Sequence, residues 1–154
     1  MPEADAYTVV IERIKREGIR WLELQTTDLV GYLRSVYVSA RGVTVDQLKR
    51  GFGKLDGSSV KGFKPIHDSD LVLLPDPETY AKIPWSPEVA RLICDIYDRG
   101  KSFIRDPRAV ARRVEEYLAS EGYLALVGPE PEFFFFDDVE LSVGHGEQVY
   151  RVYS

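Results

Sequence analysis

The chain has 154 residues, enough for one domain of ordinary size or two small ones. Apolar residues make up 44% and charged residues 29%, a globular composition that excludes a disordered or collagen-like chain. The formal net charge is −5 and the basic residues are scattered, which argues against a nucleic-acid-binding surface.

The N-terminal part of the chain predicts a short helix followed by two strands. The apolar residues of the helix fall at the spacing of a single face: Tyr7, Val10, Ile11 and Ile14. Gly18 follows at the helix end, where glycine is the usual residue. Residues 19–25 and 32–39 are rich in β-branched and aromatic residues and predict strands. Because Asp and Gly lie in the link at 27–31, we expect a hairpin with a longer loop.

The middle of the chain predicts a second short helix, a long loop and two buried strands. The helix covers residues 43–50, and the loop covers residues 51–70, which are rich in Gly, Ser, Pro and Lys. Loops of that length inside a compact domain are usually functional or disordered. Residues 71–74 form a continuous apolar run and residues 90–97 alternate, so both are typical of buried strands.

A new structural unit is predicted after the polar stretch 98–105. Asp106 and Pro107 form a good helix opening, and Gly122 closes that helix. Its apolar face consists of Val110, Val114, Tyr117 and Leu118. Three strand-like segments follow, at residues 123–127, 130–137 and 148–153. The order of elements therefore predicts an α+β domain followed by the beginning of another.

The sequence also bears on membrane insertion, secretion and disulfide formation. Its longest apolar stretches, at 71–75 and 133–136, are far shorter than the roughly 20 residues that span a membrane. The N-terminus has neither a basic start nor an apolar segment, so we expect no secretory signal. A single cysteine, Cys94, excludes an internal disulfide and is predicted to be buried. The absence of asparagine is compatible with a hot source.

Two glutamates near the C-terminus form a candidate metal site. Glu130 and Glu132 would lie side by side on one face of a strand. Adjacent carboxylates repel each other and attract a hard cation such as Mg²⁺ or Mn²⁺. Pro129 and Pro131 cannot donate ladder hydrogen bonds, which indicates a sheet edge or a bulge. The alternative is a solvated acidic face opposite a Phe-rich core face, and the spacing alone favours that alternative.

A second candidate carboxylate lies in the long loop. Asp56 is followed by Gly57, Ser58 and Ser59, a combination common in ordinary turns. A carboxylate on such a loop could also bind a small cation or reach into a neighbouring subunit's site. The loop by itself leaves both interpretations open.

Taken together, these segments resemble the type I glutamine synthetases over nearly the whole chain and in the order of that family. Eight segments carry the resemblance, and their specificity lies in their common order; two of them are Asp56-Gly57-Ser58-Ser59-Val60-Lys61-Gly62-Phe63 and Gly128-Pro129-Glu130-Pro131-Glu132-Phe133-Phe134. Further matching segments are Asp28-Leu29-Val30-Gly31, Ser69-Asp70, Leu74-Pro75-Asp76, Pro84-Trp85, Cys94-Asp95-Ile96-Tyr97 and Asp106-Pro107-Arg108.

The resemblance implies a β-grasp N-terminal domain at residues 1–103, followed at residues 104–154 by the start of the catalytic domain. It implies a cytoplasmic ligase that condenses glutamate with ammonia through a γ-glutamyl phosphate, with ATP as substrate and Mg²⁺ or Mn²⁺ as cofactor. Family members form homo-oligomeric rings through the N-terminal domain, with active sites between subunits. By position, Asp56 matches the loop aspartate that binds and deprotonates ammonium. Glu130 and Glu132 match two of the carboxylates that bind the metals.

The sequence departs from the family by stopping at Ser154, inside a strand that family members continue. The other metal ligands, the ATP pocket and the glutamate-binding arginines of the family have no counterpart here. We therefore expect this chain alone to be inactive, as the N-terminal portion of a synthetase. Two alternatives stay open: a truncated paralogue acting as a binding or assembly module, and a relative that ligates glutamate to larger amines. The Asp56 loop favours ammonia over a bulky amine, because a small caged cation needs a nearby carboxylate.

Overall fold

The computed structural model describes residues 5–154 and separates into two compact units. The first unit extends to Tyr123 and the second covers Leu124–Ser154. The boundary between them lies after the third helix, whereas the sequence predicts a domain boundary between residues 103 and 104. That domain boundary stays a prediction, because compactness and domain membership are different properties.

The first unit holds three helices and seven strands in the part of the chain that the structure describes. The helices are α1 (Ala6–Arg16), α2 (Val45–Arg50) and α3 (Pro107–Ser120). The strands are β1 (Trp21–Thr27), β2 (Leu33–Ser39), β3 (Phe52–Asp56), β4 (Asp70–Pro75), β5 (Ala81–Lys82), β6 (Val89–Asp98) and β7 (Lys101–Ser102).

The seven strands form one sheet with the order β2-β1-β6-β4-β3, and the short strands β5 and β7 also pair with β6. β1 and β6 are parallel, whereas the other pairs are antiparallel. The longest strand, β6, therefore lies at the centre of the sheet. Alternate residues of β6 are buried, as expected for a strand with one face on the core: Ala90, Leu92, Cys94 and Ile96.

The hydrophobic core combines that face of the sheet with one face of each N-terminal helix. α1 contributes Val10 and Ile14, α2 contributes Leu48, and β1 contributes Leu22 and Leu24. The face predicted for the first helix is thus confirmed, as are the hairpin of the first two strands and the second helix. The α+β class predicted from the sequence is confirmed as well.

The prediction of a single loop over residues 51–70 is wrong. Residues Phe52–Asp56 form β3, which pairs antiparallel with β4, and two short 3₁₀ turns at Gly57–Ser59 and Ile66–Asp68 follow. The strand is obscured in the sequence because the register shifts between Phe52 and Leu55. Such a bulge breaks the alternation of period two by which a strand is recognised.

Helix α3 begins as predicted, with Asp106 as its N-cap and Pro107 in its first turn. The predicted apolar face is exposed at Val110 and Val114, and among the helix residues only Ala109 is buried. Arg112, which is spaced to pair with Glu116, instead binds Asp95 of β6 at 3.0 Å. Polar contacts to β6 therefore hold this helix, with little apolar burial.

The second unit contains one antiparallel hairpin, made of β8 (Asp138–Gly144) and β9 (Glu147–Tyr153). The predicted strand at 148–153 is confirmed, but those at 123–127 and 130–137 are wrong, because these residues form no ladder with any described strand. The backbone at 133–136 nevertheless gives alternate side chains the same direction. Phe133 meets Phe135 at 5.1 Å between ring centroids, and Phe134 stacks on Phe136 at 6.2 Å. Across residues 5–154, no helix is long and apolar enough to cross a membrane.

Candidate functional site

Asp56 is the last residue of β3, where the sheet gives way to the turn Gly57–Ser59. Its backbone pairs with Asp70 at the start of β4. The side chain is exposed and caps the following turn. The sequence-predicted catalytic aspartate thus lies at the solvent-facing end of a strand, in a position where a ligand can reach it.

The Asp56 carboxylate is held by three hydrogen bonds from its own turn. Oδ1 accepts from the Ser58 amide at 2.9 Å and from the Ser58 hydroxyl at 2.7 Å. Oδ2 accepts from the Ser59 hydroxyl at 2.8 Å. These donors, with the hydroxyl of Ser58 first, lower the pKa of Asp56 from 3.8 to about 2. The group is therefore a fixed negative charge at neutral pH, as a carboxylate that binds a small cation must be.

The loop that carries Asp56 is closely packed at its base. A Cβ added at Gly57 would lie 2.9 Å from Leu71 Cδ1 and 3.0 Å from the Ser69 carbonyl oxygen. Further along, Phe63 is buried and meets Phe103 edge to face at 5.3 Å between ring centroids. The turn is therefore fixed both at its start, by β4, and at its end, by the aromatic pair.

The loop between β1 and β2 is organised by the carboxylate of Asp28. Oδ1 accepts from the amides of Val30 and Tyr32, at 3.1 and 2.9 Å, and Oδ2 binds Arg34. Burial opposes ionisation of Asp28, but these hydrogen bonds outweigh it and lower the pKa of the group. Leu29 of this loop approaches Gly62, so the hairpin touches the Asp56 loop.

Glu130 and Glu132, the predicted metal ligands, belong to the second unit and are exposed. Among residues 5–154 there is no group of three or more His, Cys, Asp or Glu side chains arranged to hold a metal ion. Two carboxylates alone provide only part of the about six oxygen ligands that Mg²⁺ takes. Their chemistry suits a hard cation, but the described residues do not complete a site for one.

Sequence reasoning missed the ion pairs that connect distant segments. Lys64 binds Asp68 and Asp98, and Arg108 binds Asp76. Only the Lys64–Asp68 spacing of four residues is visible along the chain. The other partners are 34 and 32 residues apart, so only the fold brings them together.

This architecture is that of a β-grasp domain joined to a further α/β segment, and comparison with known proteins identifies its family. The family described as "Glutamine synthetase, beta-Grasp domain" matches residues 18–99, more than half of the chain. The family described as "Glutamine synthetase, catalytic domain" matches residues 104–154. The chain belongs to the glutamine synthetase family.

Curated relatives support that assignment along the chain. The glutamine synthetase of Sulfolobus acidocaldarius is 43% identical over 148 residues, covering 94% of this chain and 31% of the relative. That of Azotobacter vinelandii is 39% identical over 150 residues, covering 94% of this chain and 32% of the relative. The chain thus spans about a third of the length of these relatives.

Solved structures agree on the fold. A Plasmodium falciparum glutamine synthetase superimposes with a TM-score of 0.68 over 99% of this chain and 30% of its own, at 20% identity. A complex titled "GmaS/ADP complex-Conformation 1" gives a TM-score of 0.65 at 25% identity, over 77% of this chain and 26% of its own.

Proposed function

We propose that this chain forms the N-terminal part of an enzyme that joins glutamate and ammonia to make glutamine, with ATP consumed through a γ-glutamyl phosphate. Family membership supports the proposal, since both matching families are described as parts of glutamine synthetase. In this proposal residues 1–103 are the β-grasp domain and residues 104–154 begin the catalytic domain. The proposed location is the cytoplasm, as the resemblance to the family implies.

The observation that carries the proposal is the state of the Asp56 carboxylate. It is exposed, ionised and oriented by Ser58 and Ser59. An ammonium ion donates hydrogen bonds and carries one positive charge, so a fixed carboxylate attracts it and can accept a proton from it. We assign Asp56 the role of binding and deprotonating ammonium. The free ammonia would then attack the γ-carbonyl of the phosphorylated glutamate and expel phosphate.

Glu130 and Glu132 are proposed as two ligands of a divalent metal, Mg²⁺ or Mn²⁺. Their carboxylates are hard oxygen donors on a segment without regular secondary structure, and the rest of the ligand set would come from elsewhere in the complete enzyme. The metal would neutralise phosphate charge during phosphoryl transfer.

Assembly into rings is part of the same proposal. Strand β2 lies at one edge of the sheet and pairs only with β1 among the described strands. It exposes the large apolar side chains Leu33 and Tyr37. An exposed strand edge with apolar side chains favours association with another chain. We therefore propose that the N-terminal domain contributes to the contact between subunits.

A chimeric enzyme tests this function. The equivalent N-terminal segment of the Sulfolobus acidocaldarius synthetase is replaced with this chain, which is 43% identical to it. The chimera is expected to assemble and to form glutamine only when glutamate, ammonia, ATP and Mg²⁺ are all present. An assembled chimera without activity, measured beside the parent enzyme, contradicts the proposal.

Asp56→Asn in the active chimera tests the assigned role. The amide keeps the shape of the side chain but loses its charge, so we expect a higher KM for ammonia and a lower kcat, with the KM for ATP unchanged. Asp46→Asn is the matched control, because Asp46 is an exposed aspartate of α2 whose partner is Arg50. Unchanged ammonia kinetics in Asp56→Asn would remove the role assigned to it.

The isolated chain is expected to be inactive. Phosphoryl transfer depends on positioning and charge neutralisation, and the described residues do not complete a metal site. Phosphate release in the presence of glutamate, ammonia, ATP and Mg²⁺ should equal that of a control without protein. Turnover above that control contradicts the expectation.

A further inference from the structure

The loop carrying Asp56 closes on itself at Lys64. The Gly57 carbonyl accepts a hydrogen bond from the Lys64 amide at 3.2 Å, and the Gly57 amide donates to the Ser69 carbonyl at 2.7 Å. A Cβ added at Gly57 would lie 3.2 Å from the Cβ of Lys64. The base of the Lys64 side chain therefore packs directly against the residue that follows Asp56.

The far end of the Lys64 side chain is held by two carboxylates from other segments. Its ammonium lies 2.8 Å from Oδ2 of Asp98, at the end of β6, and 3.1 Å from Oδ2 of Asp68. The side chain is only 7% exposed. The hydrogen bond to Asp98 outweighs desolvation and raises the pKa of Lys64, so the ammonium stays charged. A charged group shielded from water in this way keeps its place only while its partners hold it.

The hydrogen bonds accepted by the Asp56 carboxylate have a different effect from the ion pairs of Lys64. The three donors of its own turn belong to Ser58 and Ser59 and fix the shape of that turn. The side chain of Ser69, which follows Asp68, also lowers the pKa of Asp56 by hydrogen bonding.

The position of the turn on the sheet depends instead on the contacts at Gly57, on the Phe63–Phe103 pair and on Lys64. Of these, the ion pair of Lys64 with Asp98 is the contact to the end of β6.

We propose that Lys64 is a positioning residue for Asp56: its ammonium, bound by Asp98 and Asp68, clamps the loop of residues 57–64 onto the end of β6. The inference rests on the proposed function only for the role of the Asp56 carboxylate, which is to bind and deprotonate ammonium. Whether Lys64 controls the environment of that carboxylate is a property of this chain and can be measured without any substrate.

The test is the NMR titration of the Asp56 carboxyl carbon in this chain, for the wild type and for Lys64→Met. Loss of the clamp frees Asp68 and therefore the neighbouring Ser69, whose side chain also lowers the pKa of Asp56, so the pKa of Asp56 is expected to rise above about 2. We expect about a two- to fivefold decrease in its acid dissociation constant. Lys64→Arg, which keeps the charge and the donors, is expected to stay near the wild-type value.

Lys61→Met is the matched control, since Lys61 is an exposed lysine of the same loop. Removing either lysine removes one positive charge, whereas of the two lysines Lys64 is the one that binds Asp98 and Asp68, the latter shared with Arg99. A pKa of Asp56 that is unchanged in Lys64→Met, or equally raised in Lys61→Met, overturns the proposal.

Asp98→Ala keeps the test decisive if Lys64→Met does not fold. Removing a negative charge lowers a neighbouring carboxyl's pKa through Coulomb interactions, whereas loss of the clamp raises the pKa of Asp56. A rise in Asp98→Ala therefore supports the clamp, and a fall or no change overturns it. The result of this titration does not depend on the result with the chimeric enzyme. If the chimera is active and depends on Asp56, but the pKa of Asp56 does not respond to substitution of Lys64, the clamp is refuted and the proposed function is not.

Discussion

The buried carboxylate of Asp106 is expected to contribute more to stability than its place in a helix cap suggests. Its side chain is fully buried and joins two elements. One oxygen accepts from the Ile96 amide of β6 at 2.9 Å, and the other accepts from the Arg108 amide in the first turn of α3 at 3.1 Å. Asp106→Ala removes both acceptors at once.

The magnitude follows from the two amides left without a partner. A buried donor without an acceptor costs about 1–3 kcal/mol, and the bond to Arg108 is also the N-cap bond, which is typically worth about 1 kcal/mol. Counting that bond once, we expect the free energy of unfolding to fall by about 3 kcal/mol in Asp106→Ala. Asp106→Asn keeps one carbonyl acceptor and should lose about 1 kcal/mol.

The stability should also depend on pH through this group. Burial raises the pKa of Asp106 above its ordinary value of 3.8, ahead of the opposing hydrogen bonds from Ile96 and Arg108. A raised pKa in the folded state adds stability that is fully present below 3.8 and is lost as the pH rises through the folded-state pKa. Because Asn does not titrate, the wild type should lose stability relative to Asp106→Asn over that range.

Urea unfolding followed by circular dichroism measures both effects, at pH 7 and at a series of lower pH values. Glu115→Ala, at an exposed position of the same helix, is the control and should change the free energy of unfolding by less than about 0.5 kcal/mol. The reasoning is refuted if Asp106→Ala is no less stable than Glu115→Ala. It is also refuted if the wild type gains stability relative to Asp106→Asn as the pH rises.

Two further predictions concern the core. In Gly57→Ala the new methyl group would lie 2.9 Å from Leu71 Cδ1 and 3.0 Å from the Ser69 carbonyl oxygen. We therefore expect urea unfolding to show that the free energy of unfolding falls by about 1–3 kcal/mol. In the control Gly53→Ala, nothing lies within 4 Å of the new methyl group, so the free energy of unfolding should hardly change. The second prediction concerns Cys94, which is buried, and burial raises the pKa of its thiol to about 12. It should therefore react with a thiol reagent at pH 8 only after urea unfolds the chain. Rapid reaction in the folded chain would contradict this prediction.

Local patterns predict most of the first unit, because its elements follow simple periodicities. The helical face with Val10 and Ile14, the hairpin around Asp28 and the opening of α3 at Asp106 are all visible in the sequence and present in the structure. β3 is invisible because its bulge separates the buried residues Phe52 and Leu55 by three positions. A pattern search reads that spacing as a loop.

The candidate site likewise has a part that can be predicted from the sequence and a part that cannot. Asp56 is found from the sequence because its loop resembles a known family, and its hydrogen bonds to Ser58 and Ser59 are local. The clamp at Lys64 is invisible, because Asp98 lies 34 residues further along the chain. Interactions of that range depend on the strand order of the sheet, which no single segment encodes.

The central strand β6 explains why the helix anchor and the loop clamp occur in the same sheet. Its position between β1 and β4 buries the side chains of alternate residues and fixes the backbone between them. The Ile96 amide donates to Asp106, the N-cap of α3, and the Asp95 carboxylate binds Arg112 of that helix. Asp98, at the end of the strand, binds Lys64. A strand with neighbours on both sides moves little, so groups attached to it inherit its rigidity. The structure thus connects the candidate ammonium-binding carboxylate and the first helix of the proposed catalytic domain to one rigid element.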